Sequence, residues 1–211
     1  VIGEARVVPA YWQRAKRELA RRDPAIGGLI RAFPGVALRS RGDAFQTLAR
    51  SIVGQQISVK AAESVWQRLA GAAAPFEPRS VLAAGPARLR ACGLSARKVE
   101  YLHDLARRFD EGTVRPERWP AMDDEAVIAE LAQVRGIGRW TAEMFLIFNL
   151  LRPDVLPVDD LGLRRAVSQH YAGGVPVPAA ALRELGASWR PWRSVATWYL
   201  WRSLDPVPVE Y

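Results

Sequence analysis

Apolar residues recur at helical spacing through nearly the whole chain, and proline or glycine cuts that pattern at short intervals. Asp43 precedes Phe45, Leu48, Ile52 and Val53, which fall on one face of a helix. After Gly54-Gln55-Gln56-Ile57, Ser58 opens a second run with Val59, Ala62, Val65, Trp66 and Leu69. Asp and Ser side chains accept from first-turn amides, so both are candidate N-caps and the pair reads as a tight helix-turn-helix. Ser80 and Ser95 are similar candidates, the second leading into Val99, Leu102, Leu105, Ala106 and Phe109, and Asp123 or Asp124 opens a helix through Val127, Ile128 and Leu131. Breaks at Pro75, Pro78, Gly85-Pro86, Gly93, Gly112, Pro116 and Pro120 imply short helices and short loops. Two last helices are expected at 179–188 and 191–203, and an extended tail from Asp205 to Val209. Nothing alternates as a strand would, so the expected fold class is all-α. It is expected to form two helical lobes, a discontinuous one of residues 1–44 with 150–211 and a central one of 45–149.

Composition narrows the function. The chain has 211 residues, 49% of them hydrophobic, enough to bury a substantial core. The longest apolar run, Ala142 to Leu151, contains Glu143 and Asn149 and is far short of the roughly 20 residues of a spanning helix. The first residues show no apolar segment followed by a small-residue cleavage site, so an intracellular, bacterial cytoplasmic and nucleoid-associated location is expected. Cys92 is the single cysteine, which excludes an internal disulfide and a four-cysteine metal or iron-sulfur site, and is expected as a small buried filler. The net charge of +8 comes almost wholly from arginine, Lys16, Lys60 and Lys98 being the only lysines. Basic charge displaces condensed counterions from nucleic acid, which points to a polyanion partner, although a GC-rich genome inflates arginine as well.

Chemistry concentrates between Leu131 and Arg165. A helix leads into Val134-Arg135-Gly136-Ile137-Gly138, a second opens at Arg139-Trp140-Thr141, and Pro157-Val158-Asp159-Asp160-Leu161-Gly162-Leu163-Arg164 follows. Leu131, Val134, Ile137 and Ala142 have the spacing that packs two helices into each other and leaves the turn exposed. Glycines let the turn bend sharply, and amides gathered at a helix N-terminus bind a phosphate oxygen. Gly136, Ile137, Gly138, Arg139 and Thr141 are therefore the candidate DNA phosphate contacts. Without a preceding strand or a third glycine, the turn is not a dinucleotide fingerprint. The Asp159-Asp160 pair suits a helix cap as well as a catalytic carboxylate.

These segments resemble the helix-hairpin-helix and Gly-Pro-Asp motif of the base-excision DNA glycosylase superfamily, and within it the 3-methyladenine DNA glycosylase II family. The likeness extends from about Phe45 to Trp201 and includes Gly54-Gln55-Gln56-Ile57-Ser58 and Trp189-x-Pro191-Trp192-Arg193-Ser194. It implies a helix-hairpin-helix at about 124–149, an active-site cleft between the two lobes, and a compact form without the N-terminal β domain of larger members. It implies a monomer that acts on double-stranded DNA, flips out alkylated purines of the 3-methyladenine and 7-methylguanine type, and hydrolyses their glycosidic bonds to leave an abasic site. The family's Asp-Leu-Gly-Leu-Arg pattern puts the catalytic carboxylate on Asp160 and leaves Asp159 as the cap or a second carboxylate; a one-residue shift would exchange them.

Some relatives carry a lysine nucleophile where Trp140 stands here and cut the strand through a Schiff base, so the resemblance implies a monofunctional enzyme with no AP-lyase activity. The residue filling the gap left by the flipped base corresponds to Gln56, flanked by Gln55 and Ile57, where the best-known pattern has an aliphatic side chain. Trp201 matches an aromatic beside the flipped base, and Trp140, Met144 and Leu161 complete the implied pocket. Met144 and Leu161 depart from tyrosines of the best-known pattern. Electron-rich indole faces favour a cationic methylated purine by roughly 0.5–2 kcal/mol. Trp66, Trp119, Trp192 and Trp198 are expected in the core, and His103 and His170 lack partners at ligand spacing. No cofactor is required, while a Na or K ion on the backbone carbonyls of Ala132, Val134 and Ile137 is a family feature. Two other readings share parts of the pattern: a glycosylase for deaminated, oxidised or mismatched bases, and a non-catalytic helix-hairpin-helix protein that only holds DNA.

Overall fold

The computed structural model describes residues 8–40 and 42–205, all of its regular elements helical. The first seven residues and, apart from Asp205, the expected extended tail lie outside the described residues. The helices are α1 (Trp12–Arg22), α2 (Pro24–Ala32), α3 (Ala44–Gly54), α4 (Val59–Ala72), α5 (Pro78–Ala91), α6 (Ala96–Asp110), α7 (Asp124–Leu131), α8 (Arg139–Phe148), α9 (Leu161–Tyr171), α10 (Ala179–Ala187) and α11 (Arg193–Leu204), with a 3-10 turn at Pro116–Ala121. No helix among the described residues is long and apolar enough to cross a membrane.

The caps explain most helix starts. Asp43, Ser58, Ser95 and Asp123 accept from the amides of Gln46, Ala61, Lys98 and Ala126, each three residues on. Ser80 is not a cap. Helix α5 opens earlier, at Pro78 after Glu77, because proline is pre-set for the first helical position and loses no hydrogen bond there. That helix is kinked at Gly85, whose φ of 73° breaks it ahead of Pro86.

The chain gathers into two units, Val1–Ser40 with Leu146–Glu210, and Arg41–Phe145. In the first, α1, α2 and α9 to α11 enclose Leu19, Ile26, Val167, Trp189 and Tyr199. Trp12 packs edge-on to Trp198 and against Tyr199. Asp23 caps α2 through the Ile26 amide and accepts from Tyr171 Oη at 2.7 Å and Trp189 Nε1 at 2.8 Å, so one buried carboxylate joins three parts of this unit. The loop before α9 is fastened to α11 by Arg193, whose Nε and Nη2 donate to the two Asp154 oxygens at 2.7 and 3.0 Å. Ser194 Oγ accepts from the Val155 amide and donates to the Arg152 carbonyl.

In the second unit, α3 to α7 and most of α8 surround Leu48, Ile52, Leu69, Leu102, Leu105 and Leu146's neighbour Phe145. Trp119 meets Phe145 edge-on and donates its indole N–H to Glu130 at 2.8 Å. Trp66, Trp119, Trp192 and Trp198 are all buried, as is Cys92.

Candidate active site and nucleic-acid interface

Helices α7 and α8 form a hairpin whose turn spans residues 132–138. Leu131, Val134, Ile137 and Ala142 are buried and lock the two helices, as their spacing requires. Gly136 has φ 82°, and a Cβ there would lie 2.1 Å from Cδ2 of Tyr101 on α6, so both backbone conformation and close packing require glycine. At Gly138 a Cβ would meet nothing within 4 Å. The Ile137 amide donates to the Val134 carbonyl at 3.0 Å and its side chain is buried, so Ile137 offers no outward amide and leaves the expected phosphate set. The Arg135 amide donates to Asp104 Oδ2 at 2.9 Å. Among the described residues, the amides of Gly136, Gly138, Arg139 and Thr141 donate to no backbone carbonyl. They form the amide cluster at the N-terminus of α8 that an anion would meet.

Charge around the hairpin is more balanced than the composition suggests. Arg139 bonds both oxygens of Glu125, Nη1 reaching Oε2 at 2.9 Å, and its Nε donates to Glu143 Oε1 at 3.0 Å. These bonds, Glu125 first, hold its pKa above the ordinary arginine value, and two carboxylates match its charge. Burial pushes the Asp104 carboxyl up, but the Arg135 amide together with Arg107 and Arg108 outweighs it and holds the group below the usual carboxylate range.

The α3–α4 turn lies in the same unit. Gln55 Nε2 donates to the Gly136 carbonyl at 2.8 Å, which commits Gln55 to the hairpin instead of leaving it open beside Gln56. Gln56 is exposed with φ 58°, and Ile57 and Val59 are exposed apolar side chains next to it. Lys98 Nζ, its pKa lowered by burial, donates to the Val53 carbonyl at 2.7 Å at the end of α3. On α8, Trp140 is 46% exposed and Met144 half-buried.

In the other unit, α9 begins at Leu161 and its N-cap is Asp160, whose Oδ1 accepts from the Leu163 amide at 2.6 Å. The expected division of labour is therefore corrected: Asp160 is the cap, because the helix starts one residue after it, and Asp159 is exposed in the turn before. Trp201 Nε1 on α11 donates to the same Oδ1 at 2.8 Å. Phe148 stacks on Trp201 with ring centroids 5.7 Å apart and planes 15° from parallel. A Cβ on Gly162 would lie 3.2 Å from Asp160 Oδ1 and 3.3 Å from Trp201 Cδ1, so glycine leaves room for the indole to reach the carboxylate. Leu161 projects from the same helix start, 79% exposed.

Sequence reasoning passed over Phe148, Gly162 and the Trp201 N–H. The glycine stands two residues after the acid, which is a readable signal; the stacked partner and the indole bond join residues 53 and 41 positions apart and leave none. Among the described residues no group of three or more His, Cys, Asp or Glu could hold a metal ion.

Residues 49–191 match the family described as HhH-GPD superfamily base excision DNA repair protein. The chain is 34% identical over 166 residues to DNA-3-methyladenine glycosylase 1 of Schizosaccharomyces pombe, covering 75% of this chain and 72% of that one. It spans about two thirds of the length of several other curated relatives. The solved DNA-3-methyladenine glycosidase of Bacillus halodurans superposes with a TM-score of 0.85 at 31% identity, over 96% of this chain and 93% of that one. The Schizosaccharomyces pombe 3-methyladenine DNA glycosylase in complex with abasic DNA superposes at 0.77 with 28% identity, over 94% and 98%.

Proposed function

Because the chain belongs to the HhH-GPD superfamily of base excision DNA repair proteins, we propose that it is a monofunctional DNA glycosylase that hydrolyses alkylated purines of the 3-methyladenine and 7-methylguanine type from duplex DNA. The observation that carries this reading is the Asp160 carboxylate, held at the N-terminus of α9 by the Leu163 amide and the Trp201 indole N–H. Both relatives and superposed structures named for 3-methyladenine release support the substrate class.

The chemistry follows from charge. An alkylated purine is already cationic, so when the C1′–N bond breaks the electron pair leaves with a neutral base and needs no dedicated acid. Positive charge then develops on the sugar, and the Asp160 anion stabilises it. A water adds to C1′ and gives its proton to the carboxylate or onward to solvent, leaving an abasic site. Two donors on one oxygen fix the carboxylate's rotation before the charge appears.

DNA is held through phosphate at the amides of Gly136, Gly138, Arg139 and Thr141, and Gln56 with Ile57 fills the space of the extruded base. Trp201 with Phe148 presents an aromatic surface to a cationic purine, and Leu161 at the start of α9 limits its size. Trp140 stands where strand-cutting relatives have lysine, so incision does not follow base release. A monovalent cation at the hairpin would be held by the carbonyl oxygens of Ala132, Val134 and Ile137, of which the Val134 oxygen already accepts from the Ile137 amide, and would add positive charge under the bound phosphate; the hydrolysis itself takes only water. The protein works as a monomer in the compartment that holds the chromosome.

The test is release of free base from randomly methylated duplex DNA, with a panel of deaminated, oxidised and mismatched duplexes alongside. Wild type is expected to release 3-methyladenine and 7-methylguanine without strand breaks. Asp160→Asn keeps a cap of equal strength but no charge, so it should fold normally and lose about 10²–10³ in rate. Release from the panel but not from methylated DNA would move the substrate class; release from neither would remove the enzymatic reading.

A further inference from the structure

The peptide between Gly136 and Ile137 is held at both ends. Its N–H donates to the Val134 carbonyl at 3.0 Å, and its carbonyl accepts from Gln55 Nε2 at 2.8 Å. Gln55 is the residue that ends α3, directly before Gln56 with its φ of 58°. A non-glycine residue in the left-handed region persists only where its surroundings impose it, and two long-range bonds do so here. Lys98 Nζ fixes the Val53 carbonyl on one side, and Gln55 fixes the turn to the hairpin on the other. The turn's own backbone bonds are long, 3.4 Å for both Gln55 N to Ile52 O and Ile57 N to Gly54 O. Its geometry therefore depends on the tertiary bonds.

We propose that Gln55 is a positioning residue that couples the hairpin's grip on phosphate to the placement of Gln56 and Ile57 in the DNA. The inference rests on the reading of Gln56 and Ile57 as the gap-filling pair, and extends it. The hairpin amides and the Gln55 bond share the turn at Gly136, so a phosphate drawn to the amides steadies that peptide, and through Gln55 the neighbouring turn. The side chain touches no reacting atom.

Gln55→Met keeps the length of the stem and removes the donor. Its fold is checked by thermal midpoint, and Lys98→Met serves as a second variant that loosens the turn from its other anchor. Three quantities are compared with wild type: single-turnover base release, affinity for undamaged duplex, and preference for a duplex containing a tetrahydrofuran abasic site. Loss of one hydrogen bond predicts that release and abasic-site preference each fall about tenfold while affinity for undamaged duplex stays within about twofold. Unchanged release and preference in folded Gln55→Met overturn the proposal, and so does a parallel loss of all three, which would mark a part of the phosphate grip alone. Amide hydrogen exchange gives a readout independent of catalysis. On binding undamaged duplex, protection should extend from residues 135–141 to 55–59 in wild type and stop at the hairpin in Gln55→Met. Equal protection in both sinks the coupling, whereas the expected difference in a wild type that releases no base would overturn only the glycosylase reading.

Discussion

Asp160 serves as cap and candidate catalytic anion because the two roles ask for the same electrostatics. The α9 N-terminus stabilises negative charge on the carboxylate, and the Trp201 N–H aimed at the same oxygen adds a charge-assisted hydrogen bond. Trp201→Phe keeps an aromatic ring for Phe148 to stack on and removes only that donor. Its maximal single-turnover rate should fall about tenfold with KM little changed, measured on methylated duplex over a range of enzyme concentrations up to saturation. An equal rise in KM would assign Trp201 to base binding alone. The Asp pair itself was legible in the sequence, but which member caps the helix was not. That choice depends on where α9 starts, which the loop fastened by Arg193 and Ser194 sets at Leu161.

At the scale of elements, the hairpin's two glycines have different reasons to be glycine. Gly136 is required by the protein, since its φ of 82° and the Tyr101 ring exclude a side chain. Gly138 has open space around it, so no neighbour within 4 Å requires glycine there, and the proposed phosphate contact supplies a reason from outside. Gly136→Ala should lower stability by roughly 1–3 kcal/mol, read from denaturant unfolding. Gly138→Ala should leave stability unchanged and weaken duplex binding; unweakened binding would argue against backbone contact there. Helix α6 braces the same turn through Asp104, whose carboxyl is held low in the folded state. A depressed folded value contributes stability above the unfolded carboxylate pKa, and that contribution disappears as pH falls through the folded one. Wild type should therefore lose more thermal stability than Asp104→Asn as pH is lowered below about 4. Parallel curves would remove Asp104 from the account.

For the whole molecule, the +8 net charge already subtracts every carboxylate, and internal ion pairs decide which of the arginines DNA meets. Arg139 is paired with Glu125 and Glu143, Arg107 and Arg108 with Asp104, and Arg193 with Asp154, all inside the protein. About five neutralised phosphates predict a slope near −4.5 in log K against log salt, measurable by fluorescence anisotropy, and a flat response would contradict a phosphate grip. Arg139→Ala should leave that slope nearly unchanged. The sequence by itself determined the helical class, the caps at Asp43, Ser58, Ser95 and Asp123, the hairpin at Gly136 to Gly138 and the acidic pair, because caps, turns and periodicity act within a few residues. Tertiary structure alone decided that Gln55 reaches the hairpin, that Glu125 engages Arg139, and that Trp201 and Phe148 attend Asp160. Those contacts join residues up to 81 positions apart, and chain folding, not local spacing, selects which donor finds which acceptor.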